Sequence, residues 1–230
     1  MKICGFQKLT LLDFPGRVAC TVFTGGCNLR CPFCHNAGLV TELSAAEEFS
    51  EEEILSYLKK RTGVLDGVCI TGGEPLLQPD TEDFLGRIKG LGLAIKLDTN
   101  GTYPERLSAI IDAGLCDYVA MDIKNSKERY VETVGIEGFD IAPVCKSVDI
   151  LLSGKVPFEF RTTVVRELHT TEDIEKIALW IKGAGKYFLQ NFVDSGNLIG
   201  EGLTAHTPET LEAMRKIAQK HIDFVELRGV

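Results

Sequence analysis

The sequence has 230 residues, of which 44% are hydrophobic, and it carries a formal net charge of −8. This acidic balance argues against unspecific binding to nucleic acid, because such binding needs a basic surface that displaces counterions. Residues 1–16 contain Lys2, Lys8 and Asp13 and do not resemble a secretory signal, and no later apolar run is long enough to span a bilayer. We therefore expect one domain over residues 1–230 that works in the cytoplasm, with neither a membrane nor nucleic acid as partner.

Strand and helix patterns alternate along the chain. Apolar and β-branched runs predict six strands, at residues 17–23, 67–71, 93–98, 118–122, 158–165 and 187–192. Helices are predicted after a capping box at Ser50 and Glu53, and near residues 81–89, 104–113, 126–152, 171–182 and 208–220. This order predicts a parallel sheet with outer helices, which either an open doubly wound sheet or an incomplete barrel would satisfy.

Three cysteines stand in the loop at residues 24–36, directly after the first predicted strand. Cys27, Cys31 and Cys34 are close enough in sequence to hold one metal centre, yet a [4Fe–4S] cube ordinarily takes four cysteine ligands. One iron would then lack a cysteine, and an iron open to solvent or substrate points to chemistry at the metal. Without a secretory signal, the eight cysteines of the chain are expected to be reduced.

Glycine-rich and polar segments follow the next three strands. Because the carboxyl ends of parallel strands meet at one rim, we expect these segments to lie beside the cysteine loop, at residues 72–75, 98–101 and 122–124. Gly72 and Gly73 allow the backbone to approach a small ligand, and the Glu74 carboxylate can accept hydrogen bonds from an ammonium group. Phe33 either packs within its own loop or offers a flat apolar surface to an adenine-sized ring.

The CxxxCxxC pattern of Cys27, Cys31 and Cys34, followed by Gly72-Gly73-Glu74-Pro75, resembles the radical SAM superfamily. The resemblance implies an incomplete (β/α)6 barrel whose three cysteines hold a [4Fe–4S] cluster. It also implies that S-adenosylmethionine binds the open iron through its amino nitrogen and carboxylate. The reduced cluster would then split the sulfonium group and release a 5′-deoxyadenosyl radical.

Further segments resemble the small activating enzymes of glycyl radical enzymes, namely residues 34–36, 97–101 and 121–124. Residues 11–16 and 226–229 are most similar to the subgroup named anaerobic ribonucleoside-triphosphate reductase activating proteins. This likeness implies a glycyl radical enzyme as partner, with anaerobic ribonucleotide reductase as the expected one, and reduced flavodoxin or ferredoxin as electron donor. It predicts a single cluster, since only Cys69 lies between the cysteine loop and Gly72.

The same likeness implies roles for three charged residues. Asp98, Asp122 and Lys124 would lie near the methionine and ribose parts of S-adenosylmethionine, and Asp98 with Thr99 and Asp122 would help to bind a monovalent cation. Some relatives place a histidine near the adenosine after the sixth strand, whereas this chain has Gln190-Asn191-Phe192 there. Arg161 is either a surface charge or a residue of the barrel interior.

Several alternatives stay open at the sequence level. Zinc could take the three clustered cysteines together with His35, and an iron–sulfur electron carrier could use Cys69 as a fourth ligand. The five isolated cysteines are expected to be structural, namely Cys4, Cys20, Cys69, Cys116 and Cys145. Three histidines are expected at the surface, namely His169, His206 and His221. A radical SAM enzyme that acts on a small molecule, such as a deazapurine ring-contracting enzyme, is the second functional hypothesis.

Overall fold

The computed structural model describes residues 1–43 and 47–229. Its strands form one eight-stranded sheet whose spatial order follows the chain, from β1 to β8. The first strand is antiparallel to the second, and every later neighbouring pair is parallel. The strands are β1 (Ile3–Thr10), β2 (Ala19–Thr24), β3 (Gly67–Gly72), β4 (Ala94–Thr99), β5 (Tyr118–Asp122), β6 (Phe158–Val164), β7 (Tyr187–Asn191) and β8 (Val225–Arg228).

Helices follow the strands much as the sequence predicts. The Ser50 hydroxyl accepts a hydrogen bond from the Glu53 backbone N–H at 3.2 Å, so the predicted capping box is confirmed. The helices are α1 (Ala37–Thr41), α2 (Glu51–Lys60), α3 (Thr81–Lys89), α4 (Pro104–Asp112), α5 (Tyr130–Val134), α6 (Ala142–Leu152), α7 (Thr171–Trp180) and α8 (Pro208–Ala218), with short 3-10 helices at Pro75–Leu77 and Lys127–Arg129.

The sheet curls into a partial barrel. The loop after β2 reaches the chain after β7, because His35 Nε2 lies 2.8 Å from the Val193 carbonyl and the Gly200 N–H donates to the Pro32 carbonyl at 2.8 Å. In the described part of the chain, β1 and β8 do not pair with each other. The predicted incomplete barrel of six parallel units is therefore confirmed in β2 to β7. The doubly wound alternative is wrong, because the strand order never reverses.

The two faces of the sheet differ in polarity. Outward residues such as Val68 and Ile70 pack with the helices in one hydrophobic core that excludes water. The inward face is polar instead, and it carries charged residues such as Lys96 and Glu159. Phe14 closes the amino-terminal end of this interior by packing with Ala19 and Tyr118.

Two strands were not predicted from the sequence. β1 is partly exposed and adds to β2 as an antiparallel edge, while β8 extends the parallel sheet beyond the sixth predicted strand. Neither changes the position of the rim, which lies at the carboxyl ends of β2 to β7. Among the described residues, no helix has both the length and the apolar character needed to cross a membrane.

Candidate cofactor site

The carboxyl ends of the strands surround one cavity of about 230 Å³. Most of the predicted site residues line it: Cys27, Cys31, Phe33, Cys34, Gly72, Gly73, Asp98, Asp122 and Lys124. They come from the loop after β2 and from the ends of β3, β4 and β5, so the expectation that these segments meet at one rim agrees with the structure. Glu74 does not line the cavity. Arg161 does line it, as do Asn36 and Asn100, which belong to the segments 34–36 and 97–101 but were given no role in the site by the sequence.

The cysteine loop brings its thiols to a buried edge of the cavity. Burial raises the pKa of Cys27, and it raises the pKa of Cys31 to about 12 while nearby Lys124 acts in the opposite direction. The Leu29 N–H and the Asn100 side-chain amide point at the Cys27 sulfur, at 3.4 and 3.7 Å. Hydrogen bonds to ligand sulfurs are one way in which proteins set the potential of an iron–sulfur centre.

The zinc alternative finds no support in this geometry. His35 stacks on Phe192, with ring centroids 6.0 Å apart, and its Nε2 contacts the Val193 carbonyl. Cys69 does not offer a fourth ligand either, since its sulfur lies below the cavity, 3.8 Å from the nearer Asp98 oxygen.

Glu74 is fully buried beneath the cavity and connects the loops after β3 and β4. One of its carboxylate oxygens accepts hydrogen bonds from Leu76 N at 3.0 Å and Thr99 Oγ1 at 2.8 Å, and the other accepts from Asn100 N at 2.6 Å. Burial raises the pKa of Glu74 to about 7, although these three hydrogen bonds act to lower it. The carboxylate therefore holds the loops in place from below.

The glycine motif touches the cysteine loop directly. A Cβ on Gly73 would lie 1.9 Å from the Gly26 carbonyl oxygen, a distance that no side chain could occupy. The Glu74 N–H donates to the same carbonyl at 2.8 Å. Gly73 is thus required by the close approach of two backbones, and the two sequence motifs form one structural unit.

Five charged side chains form an ion network in the barrel interior. Lys96 Nζ contacts one Asp98 oxygen and Arg161 Nη1 contacts the other at 3.0 Å. Arg161 Nε contacts one Asp122 oxygen at 2.9 Å and Lys124 Nζ contacts the other at 3.0 Å. Burial would raise the pKa of both aspartates, but the Arg161 guanidinium and the lysines outweigh it and lower both values. Arg161 is therefore a residue of the barrel interior, and both aspartates remain ionised.

One histidine prediction is wrong. His169 is only 1% exposed and lies behind the cavity wall instead of at the surface. Its Nδ1 accepts from the Val165 N–H at 3.1 Å, its Nε2 lies 2.8 Å from the Lys124 carbonyl, and its ring packs edge-on against Phe33 with centroids 6.2 Å apart. Burial lowers the pKa of His169, so the neutral ring fixes the backbone of Lys124.

The family model named Radical SAM superfamily matches residues 21–181 of this chain. This chain belongs to the radical SAM superfamily. A protein of Methanocaldococcus jannaschii whose name is putative glycyl-radical enzyme activating enzyme is 33% identical to this chain. The match covers 99% of this chain and 96% of the length of that protein. The pyruvate formate-lyase-activating enzyme of Clostridium pasteurianum is 27% identical over 81% of this chain and 85% of its own. The structure of Streptococcus suis SuiB bound to S-adenosylmethionine shares the fold, with a TM-score of 0.66 and 14% sequence identity. The match covers 89% of this chain and 48% of the SuiB chain.

As a radical SAM enzyme, the protein uses a [4Fe–4S] cluster and S-adenosylmethionine. The residues present fit both groups. Cys27, Cys31 and Cys34 come from one loop and face the cavity, as the three ligands of a cluster with one open iron must. Gly72 and Gly73 present backbone next to them, and the apolar Phe33 ring forms part of the wall.

Proposed function

We propose that this radical SAM enzyme is an activase that generates a glycyl radical on a partner enzyme, and that the partner is anaerobic ribonucleoside-triphosphate reductase. The observation that carries the proposal is the end-to-end likeness to the Methanocaldococcus jannaschii protein, whose name assigns it to the activating enzymes. The sequence similarity at residues 11–16 and 226–229 supports the choice of partner.

In this proposal each cavity residue has a task. Cys27, Cys31 and Cys34 hold the cluster, which when reduced supplies the electron for reductive cleavage of S-adenosylmethionine. Gly72 and Gly73 position the methionine part by their backbone, and Phe33 forms an apolar surface for the adenine. Asp98, Asp122 and Lys124 orient the remaining polar groups, and Glu74 keeps the two loops at a fixed distance.

The chain's own residues also prepare the site for a reactive species. Each charged side chain of the ion network contacts an opposite charge at the cavity floor, and His169 and Phe33 together close the wall behind Lys124. A closed floor and wall leave the rim as the way in, so the glycine loop of the partner would enter there. With the cofactors bound, the chemistry supplied there would be transfer of the glycine Cα hydrogen to the 5′-deoxyadenosyl group, which would leave the unpaired electron on the partner. We propose reduced flavodoxin or ferredoxin as the electron donor.

Electron paramagnetic resonance tests the function directly. The protein is reconstituted with iron and sulfide without oxygen, reduced, and mixed with S-adenosylmethionine and the candidate reductase. We expect a glycyl doublet on the reductase, together with methionine and 5′-deoxyadenosine in the products. Cleavage products without a doublet would contradict this partner and favour a small-molecule substrate. An intact cluster that yields neither product would contradict the enzymatic function itself.

A further inference from the structure

Asp98 and Asp122 are bridged by an arginine at the place where the family likeness would put a monovalent cation. The Arg161 guanidinium donates to both carboxylates, at 3.0 Å to Asp98 and 2.9 Å to Asp122. We propose that Arg161 takes the place of the cation, so that this protein binds S-adenosylmethionine without potassium or sodium. The proposal rests on the cofactor and is independent of which partner the enzyme activates.

The register of the sheet makes the bridge a property of the fold. Arg161 of β6 is paired with Asp122 of β5, so the two side chains leave the sheet side by side on its inner face. Asp98 of β4 is paired with Ala120 of β5. Ala120 lies two residues before Asp122 and shares its face, and its methyl side chain takes up little of the space that Arg161 crosses to reach Asp98.

The oxygen atoms that a metal ion would need are already engaged. Each of the four carboxylate oxygens of Asp98 and Asp122 contacts a cationic nitrogen, from Lys96, Arg161 or Lys124. Hard cations such as Na⁺ and K⁺ bind through oxygen ligands of this kind. A metal ion would therefore have to displace a half-buried arginine from charge-assisted contacts with two carboxylates.

The balance of charge points the same way. Three cationic side chains and two carboxylates leave the network with a surplus of one positive charge, and a metal ion would add another in a buried site. Like charges that share a buried site oppose one another strongly. The surplus is instead suited to an anionic ligand. Arg161 lines the cavity, and its Nη2 makes no hydrogen bond within the described residues, so it can donate to the carboxylate of S-adenosylmethionine.

The decisive measurement is the affinity of the reconstituted protein for S-adenosylmethionine in different salts. Binding is followed by equilibrium dialysis in potassium, sodium or choline chloride at one ionic strength. The dissociation constant should change by less than about twofold, because the counter-charge is part of the chain. A loss of about tenfold or more in choline chloride would overturn the proposal.

Substitution of the arginine provides the converse test. Arg161→Ala opens the space between the carboxylates to a metal ion. The affinity of this variant for S-adenosylmethionine should therefore be at least about fivefold higher in potassium chloride than in choline chloride. Arg161→Lys keeps a positive charge and should stay insensitive to the salt. The exposed Arg166, on the same segment of chain, provides the matched control, and Arg166→Ala should behave as the unaltered protein does. An Arg161→Ala variant that binds equally well in all three salts would contradict the proposal.

Sodium-23 nuclear magnetic relaxation tests directly whether the protein binds sodium. It requires neither S-adenosylmethionine nor a variant. The unaltered protein, with or without its cluster, should show no saturable broadening of the sodium resonance. Saturable binding that potassium displaces would refute the proposal even if Arg161→Ala did not fold. This measurement also keeps the proposal separate from the function, since a protein that failed to bind S-adenosylmethionine in every salt would refute the cofactor assignment and leave the sodium result standing.

Discussion

Cys31, one of the proposed cluster ligands, shows how its surroundings affect the ionisation of a thiol. Burial raises its pKa to about 12, which disfavours the thiolate, while the Lys124 ammonium favours it. If Cys31 binds the cluster as proposed, binding would release a proton from this thiol at neutral pH. Lys124 is itself held by Asp122 at 3.0 Å, so the charge that assists Cys31 is fixed in position by the ion network.

Removal of this thiol should abolish the cluster. After anaerobic reconstitution, Cys31→Ala should lack both the visible charge-transfer absorbance and the reductive cleavage of S-adenosylmethionine. Cys145 is the matched control, because it lies half-buried on α6 and outside the cavity. Cys145→Ala should keep the full iron content and activity, and a Cys31→Ala protein with an intact, active cluster would contradict the ligand assignment.

Glu74 predicts a pH dependence of stability. Its pKa is raised to about 7 by burial, so the folded protein holds a proton that the unfolded chain releases near the ordinary carboxyl pKa of 4.5. The stabilisation is complete below the unfolded pKa and is lost as the pH rises through about 7. Chemical denaturation of the cluster-free protein at several pH values measures this loss as a difference from a variant that cannot titrate at position 74, since the lowered pKa of His169 acts in the opposite direction over the same window.

The Glu74→Gln variant isolates this contribution. The amide does not titrate, so the fall in unfolding free energy that is due to Glu74 should vanish. The variant should also be less stable at low pH by about 1–3 kcal/mol, because an NH₂ group would face a backbone N–H in a buried place. A variant that keeps the same pH profile as the unaltered protein would show that Glu74 is ionised throughout.

At the level of elements, the loops after β2 and β3 act as one unit. The Gly26 carbonyl accepts the Glu74 N–H, and Gly73 lies against the same carbonyl with no space for a side chain. The Asn36 amide adds a third contact by donating to the Gly72 carbonyl at 2.8 Å. The cysteine loop therefore takes its shape from the glycine motif.

Gly73→Ala should separate these loops. A Cβ at 1.9 Å from the Gly26 oxygen forces the backbone apart, so the variant should lose affinity for S-adenosylmethionine and unfold at a lower temperature. Gly185 is the matched control, because a Cβ there meets nothing within 4 Å and its φ is not positive. Gly185→Ala should change neither property. An unchanged affinity in Gly73→Ala would contradict the proposed role of the contact.

The strands that could be predicted are those whose own residues form a clear sequence pattern. β2 to β7 were predicted because runs such as Gly67–Gly72 are apolar and end at glycines or aspartates. β1 was missed, since Ile3–Thr10 contains polar residues at exposed positions of an edge strand, and the four residues of β8 are too short to show a pattern. Lys96 could have been recognised, because it shares the inner face with Asp98 two residues later.

Other parts of the site depend on contacts that no local pattern contains. The pairing of Asp122 with Arg161 follows from the register of β5 against β6. The burial of His169 follows from a turn after β6 that folds back on Lys124. Glu74 had the right position in its motif, but which groups its carboxylate meets is decided by the loop after β4.

On the scale of the whole molecule, the last strand is tied to the barrel interior by charge. Arg228 of β8 donates to both oxygens of the buried Glu159 on β6, at 3.0 and 3.3 Å, and its guanidinium lies 3.4 Å from the ring centre of Phe188. The Tyr118 hydroxyl donates to Glu159 from β5. One carboxylate thus holds together strands from both sides of β6.

Arg228→Met should weaken this end of the barrel. The change keeps apolar contact with Phe188 but leaves the buried Glu159 carboxylate without its cation, at a cost on the order of 2 kcal/mol. Thermal denaturation should show a lower midpoint, with Glu226→Gln on the exposed part of the same strand as control. Equal midpoints for the two variants would show that β8 is held by its backbone pairing alone.

The sequential order of the strands also bears on how the protein is made. Each parallel strand pairs with its chain neighbour, so the sheet can grow from one side while the ribosome is still adding residues. The cysteine loop leaves the ribosome with β2, well before Gly73 arrives to support it. During synthesis there is therefore a stage in which the three thiols lie on a loop that Gly73 does not yet support. We expect the loop to take up iron only after β3 has joined the sheet.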